Sequence, residues 1–157
     1  MRSRSIAASL FLIAALLVHA EPIRISLPVG GRMTMWMKYA VPFLRPCSRG
    51  GPEDVESFWA PTETQLDALE AKLITFLSSH ESNESLPPGT SYHRQYLGFV
   101  KGGRLYIYGS FYPGQGRMTS DERNDPLRIC DGGHSIWGVV YDLESGEFID
   151  LRVNPAV

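Results

Sequence analysis

A chain of 157 residues, 43% of them hydrophobic, is long enough for one domain with a real core and too short for two ordinary ones. Its 15 basic residues face 17 acidic ones, for a formal net charge of -2 at pH 7. It lacks the basic stripe that binding to a phosphate backbone requires, so nucleic acid is excluded as an expected partner.

Residues 1–20 read as a signal peptide. Arg2 and Arg4 form a basic start, Ile6 to Val18 is apolar, and Val18-His19-Ala20 places small residues at a cleavage site. The apolar run falls short of the roughly 20 residues of a membrane helix, and no later segment is apolar enough to span. No cysteine stands at the cleavage point to take a lipid. The mature chain is expected to be a single domain over 21–157, beginning near Glu21, with no membrane span and a periplasmic or secreted location. Removing residues 1–20 takes away two arginines and no acid, so the net charge moves from -2 to -4. Cys47 and Cys130 are left as an even pair in an oxidising compartment, which predicts one disulfide between them.

Ile23 to Leu27 alternates as a short first strand, stopped by Pro28 and Gly30-Gly31. Residues 33–44 are apolar, with Met33, Met35, Trp36, Met37, Tyr39, Val41, Phe43 and Leu44. Periodicity leaves strand, helix and irregular segment all open here, and the composition suits either core packing or a Met-rich surface for a partner. Arg45 to Asp54 has loop chemistry. Thr62 to Leu77 then reads as a helix, with Thr62 and Gln65 at capping-box spacing and Leu66, Leu69, Leu73, Phe76 and Leu77 on one stripe. Asn83-Glu84-Ser85 matches a glycosylation sequon that matters only in a eukaryotic source.

Two hairpins follow. Arg94 to Val100 and Arg104 to Tyr112 are joined by Lys101-Gly102-Gly103. On the second of these strands Leu105, Ile107 and Phe111 share one face, and Tyr106, Tyr108 and Tyr112 share the other. The tyrosine face is either a second packing surface or an exposed aromatic platform. Pro113 to Gly133 is a long polar connection, a kind of loop that tends to be functional. The last hairpin pairs Ile136 to Asp142, with Trp137, Val139 and Tyr141 on one side, with a strand carrying Ile149, Leu151 and Val153. Glu144-Ser145-Gly146 turns between them.

Candidate chemistry is sparse. Cys130 with Asp131 and either His93 or His134 outlines a thiol hydrolase, but the thiol belongs to the expected disulfide. His80, His93, His134 and Asp131 lack the paired short spacing of a zinc site, so no metal and no cofactor is expected. His93-Arg94-Gln95-Tyr96 gathers polar groups at a strand start and reads as a strand-end cluster that pairs with Asp131 or Asp142 rather than as a ligand site. One contact surface is expected from Tyr108, Tyr112, Arg117, Asp131 and His134, on and beside a long loop anchored at its base by the disulfide.

Trp59-Ala60-Pro61-Thr62, Arg94-Gln95-Tyr96, Cys130-Asp131-Gly132-Gly133 and the strand Trp137-Gly138-Val139-Val140-Tyr141-Asp142 resemble those of a group of small bacterial exported proteins with no established activity. The resemblance spans roughly residues 58 to 154; it implies a bacterial source and one compact unit, and it carries over no catalytic residues. From the order of elements, the fold is expected to be α+β, one amphipathic helix on a four- or five-stranded antiparallel sheet, as in a cystatin-like roll. By analogy of size, compartment and fold, the expected function is non-catalytic binding in the cell envelope, as an inhibitor of or immunity protein against a hydrolase or toxin. The competing classes are a small envelope hydrolase built on His93, Asp131 and His134, and a structural accessory protein of an envelope assembly.

Overall fold

The computed structural model describes residues 25–80, 86, 87 and 89–155. The expected signal peptide and the sequon at Asn83 lie outside them. The elements run β1 (Arg32–Thr34), α1 (Ala40–Phe43), β2 (Ser57–Trp59), α2 (Glu63–Ser79), β3 (Tyr92–Lys101), β4 (Arg104–Pro113), α3 (Ser120–Asn124), β5 (Trp137–Asp142) and β6 (Glu147–Val153). Short 3₁₀ turns occupy Met37–Tyr39 and Gly133–Ser135.

The helix α2 begins where its cap is written. Gln65 N–H donates to Thr62 Oγ1 at 3.3 Å, and Thr62 N–H donates to the Gln65 carboxamide oxygen at 2.9 Å. Leu66, Leu69, Leu73 and Leu77 are completely buried. They pack on the sheet face made by Tyr96, Ile107, Phe111, Trp137, Val139 and Tyr141. Burying each leucine is worth about 1.5–3 kcal/mol, so this seam contributes substantially to stability.

Both hairpins form as expected. Gly102 and Gly103 have φ of 59° and 71°, the left-handed pair that a two-residue turn between twisted strands requires. Their N–H groups donate to the Glu56 carboxylate at 2.7 and 3.3 Å, which ties the start of β2 to this turn. In the second hairpin, Asp142 Oδ1 accepts from Glu144 N–H at 2.9 Å.

The sheet differs from the expected four- or five-stranded antiparallel roll. It has six strands in the order β1-β3-β4-β5-β6, and β2 pairs with the same side of β3 as β1. The pairing of β1 with β3 is parallel, with Arg32 opposite Arg94, whereas β2 runs antiparallel with Trp59 opposite Gly98. Each added strand is only three residues long, too short to show a period, and the parallel pair joins segments about 60 residues apart. Within the expected Ile23–Leu27 strand, Ser26 forms only an isolated bridge to Ser91, and the first true strand follows Gly30-Gly31. The last strand also departs from simple alternation. Phe148 pairs with Tyr141 and Asp150 with Val140, so Ile149 is an extra residue that turns outward and is 58% exposed.

Residues 35–44 cover the face of the sheet opposite α2. Met35, Ala40, Phe43 and Leu44 pack on Leu97, Phe99, Tyr108 and Val140. The disulfide Cys47–Cys130, with its Cα atoms 5.1 Å apart, then joins the loop after α1 to the approach of the last hairpin, as the cysteine pair predicts. Ser48 Oγ donates to the Cys130 carbonyl beside it.

Candidate binding surface

Strand alternation divides His93-Arg94-Gln95-Tyr96 between two faces. Arg94 and Tyr96 point toward α2. Arg94 Nε and Nη2 donate to the two Glu70 carboxylate oxygens at 2.8 and 3.0 Å, and its Nη1 donates to the Pro28 carbonyl at 2.6 Å. The Tyr96 hydroxyl donates to Glu70 at 3.0 Å. Arg32, next to Arg94 across the parallel pair, reaches Asp67 at 2.8 Å and Glu70 at 3.4 Å. Burial, reinforced by Glu70, pushes the Tyr96 phenol well above its ordinary value. The expected partners of this run were Asp131 or Asp142; the actual carboxylates are Glu70 for Arg94 and Tyr96 and Glu122 for His93, non-local contacts that spacing does not reveal. Asp142 instead pairs with Arg104 at 2.6 Å, and Asp131 is exposed with no ion pair or hydrogen bond among the described residues.

His93 and Gln95 point the other way and hold down the 113–133 connection. The Gln95 amide donates to the carbonyls of Glu122 and Asp125 at 2.7 and 2.9 Å, and its oxygen accepts from Leu127 N–H at 3.0 Å. His93 Nδ1 lies 3.0 Å from Glu122 Oε1, and its Nε2 lies 3.3 Å from the Gly116 carbonyl. The connection has structure of its own, since α3 opens with a capping box between Thr119 and Glu122. Burial raises the Glu122 carboxyl, but hydrogen bonds from Thr119 and the contact with His93 outweigh it and leave the pKa lowered. The connection is a strap fastened across the sheet by β3 side chains.

The five residues expected to form one surface are divided by this arrangement. Tyr108 and Tyr112 are each 3% exposed. Tyr108 meets Phe43 edge-on at 5.4 Å, and Tyr112 meets His93 edge-on at 5.8 Å and packs with Met118 of the strap. The tyrosine face is therefore a second packing surface, and burial raises the phenol of Tyr112. Arg117 and Asp131 are exposed, and His134 is partly exposed on its 3₁₀ turn. His93 is 3% exposed and makes no hydrogen bond to Asp131 or His134, while Cys130 is oxidised. The described residues thus do not assemble the hydrolase set. They also contain no group of three or more His, Cys, Asp or Glu able to hold a metal ion.

A different patch is exposed. Trp36, Met37 and Val41 are 54%, 45% and 51% exposed on the segment whose alternate residues seal the core. Lys38 Nζ lies 4.7 Å from the Trp36 ring centroid and 4.6 Å from that of Tyr39, in cation–π contact with both. The signal in the sequence was the excess of Met and aromatic residues over what one packed face needs.

The chain is an α+β protein with a long helix on one face of a mixed sheet and a disulfide-tied covering on the other. Among the described residues, no helix is long and apolar enough to cross a membrane. Comparison of the chain with family models, curated proteins and solved structures finds no match.

Proposed function

We propose that this is an exported binding protein of the bacterial envelope, without catalysis of its own, that captures another protein as an inhibitor or immunity partner of a cell-wall hydrolase or toxin. The observation that carries this reading is the exposed ridge of Trp36, Met37 and Val41. Trp and Met are enriched in the cores of protein interfaces, and an exposed Trp beside a Met and a Val offers the apolar area that such a core buries. A disulfide is the crosslink of an oxidising compartment, in keeping with export. Arg117, Asp131 and His134, on and beside the strap, are offered as further polar contacts for the partner.

The test uses the mature protein as bait in periplasmic extract, followed by assay of the captured protein. A stoichiometric complex with a hydrolase or toxin, inhibited one-to-one and lost with Trp36→Glu at unchanged circular dichroism, is the expected result. A complex with scaffold proteins alone would move the assignment to an accessory role. Turnover of peptidoglycan fragments by the purified protein, abolished by His134→Ala, would move it to an enzyme.

A further inference from the structure

Peroxides react with sulfur, and this chain offers them few sulfurs. Cys47 and Cys130 are joined, and among the described residues no cysteine is free. With no thiol to ionise into a fast-reacting thiolate, the methionines are the sulfurs left to oxidise. A thioether has no proton to lose, so ionisation does not set its reactivity. Solvent access decides which one reacts.

The described methionines differ in that access. Met35 and Met118 are 2% and 4% exposed. Met33 is half-buried and packs against the clusters that contain Leu97 and Tyr112. Met37 is 45% exposed. It opens the 3₁₀ turn Met37–Tyr39, where Met35 and Ala40 on either side seal the core while Trp36, Met37 and Val41 stay outside. The most accessible methionine therefore stands within the apolar ridge. A leucine there would supply nearly the same apolar volume without the redox chemistry.

We propose that Met37 is a reversible oxidation site that switches the ridge of Trp36, Met37 and Val41 between an apolar and a polar state. The Met37 sulfur donates a lone pair to one oxygen of hydrogen peroxide. The S–O bond forms as the O–O bond breaks, the proton of the transferred oxygen passes to the other, and that oxygen leaves as water. Sulfur loses two electrons and the peroxide gains them. The return step takes a dithiol, acting through a sulfoxide reductase: the sulfoxide oxygen departs as water and the dithiol closes to a disulfide. The sulfoxide sets a strong hydrogen-bond acceptor into apolar surface, and covering it without a donor carries a desolvation cost. The loss of a partner on oxidation rests on the protein-capture reading; the oxidation and the change of surface do not.

The experiment treats the mature, disulfide-bonded protein with dilute hydrogen peroxide and follows it by peptide mapping, circular dichroism and hydrophobic-interaction chromatography. Met37 should gain oxygen at least about tenfold faster than Met35 and Met118, and ahead of Met33, at unchanged circular dichroism. The oxidised protein should elute earlier than the untreated one, and methionine sulfoxide reductase with a dithiol should restore the original retention. Met37→Leu should elute alike before and after peroxide. Capture from periplasmic extract should weaken about tenfold on oxidation, return with the reductase, and persist through peroxide in Met37→Leu. Another methionine oxidised first, retention that does not move, or equal capture by the oxidised protein would overturn the proposal. An untreated protein that captures nothing would instead remove the protein-capture reading, with mapping and retention still deciding the oxidation.

Discussion

Arg94 and Glu70 face each other as a two-pronged ion pair between β3 and α2, with both nitrogen–oxygen distances at or below 3.0 Å. Their side chains are only 4% and 15% exposed, and Arg32 stands 3.4 Å from the same carboxylate. Deleting either partner strands a buried charge, but the two deletions are unequal. Arg94→Met leaves Glu70 with Arg32, whereas Glu70→Gln leaves the buried Arg94 without a carboxylate while Arg32 keeps Asp67. We expect Glu70→Gln to cost about 3–5 kcal/mol in urea unfolding and Arg94→Met to cost less. The reverse order would mean that the pair is not the organising contact of this seam.

The disulfide closes a loop between residues 83 positions apart. Chain-entropy reasoning puts the stabilisation from such a loop at about 4 to 5 kcal/mol, much of it acting on the unfolded chain. The double variant Cys47→Ser with Cys130→Ser should lower stability by up to that amount, and reductant should lower the melting temperature of the wild type but not of the variant. A wild-type midpoint unaffected by reductant, under conditions where mass spectrometry shows both thiols free, would contradict this.

Glu122 makes the strap sensitive to acid. Its folded-state pKa lies below its ordinary value of 4.5, so the carboxylate is favoured by folding. Stability from this group is fully present above 4.5 and is lost as pH falls through the folded value. Hydrogen exchange at Leu127 N–H, which Gln95 holds at 3.0 Å, should accelerate relative to the core of β4 when the protein is acidified below 4.5. Glu122→Gln should flatten that dependence. An unchanged pH profile in the variant would assign the acid response to other carboxylates.

Gly98 is the only residue that fits where it stands. A Cβ at this position would lie 2.3 Å from the Trp59 indole, which packs over β3 with its Nε1 donating to the Phe99 carbonyl at 3.2 Å. Gly98→Ala should displace the indole and detach β2, at about 1–3 kcal/mol. Tryptophan fluorescence should report the change, with Trp59→Phe as the control that removes it.

Elements that carry their own local signal were readable from the residues. The leucine stripe and the Thr62 cap placed α2, and Gly102-Gly103 and Gly146 placed the hairpin turns. The compartment implied by residues 1–20 predicted the cysteine pairing. What escaped reading depends on distant partners. Neither β1 nor β2 is long enough to alternate, and each exists because β3 offers an open edge. Gln95 reads as part of a cluster pairing with Asp131 or Asp142, yet its amide is satisfied by backbone some 30 residues away. The tyrosines of β4 alternate in the same way whether they are bare or covered, and only residues 35–44 and the strap decide which. Arg49 gave no signal, because an arginine in a Gly- and Pro-rich stretch reads as solvated, yet it is 8% exposed and donates to Asn154 and Ser110.

The extra residue at Ile149 also governs how the molecule behaves among copies of itself. β6 ends the sheet, and its outer backbone groups are a template on which a second chain could extend the ladder. An added residue sharpens the local twist and interrupts the regular spacing of donors and acceptors, and Glu147, Asp150 and Arg152 place charge along the same margin. The register irregularity that spoils the alternation of the last strand is thus also its protection against fibre growth, and a variant lacking Ile149 would regain the regular pairing and lose that protection.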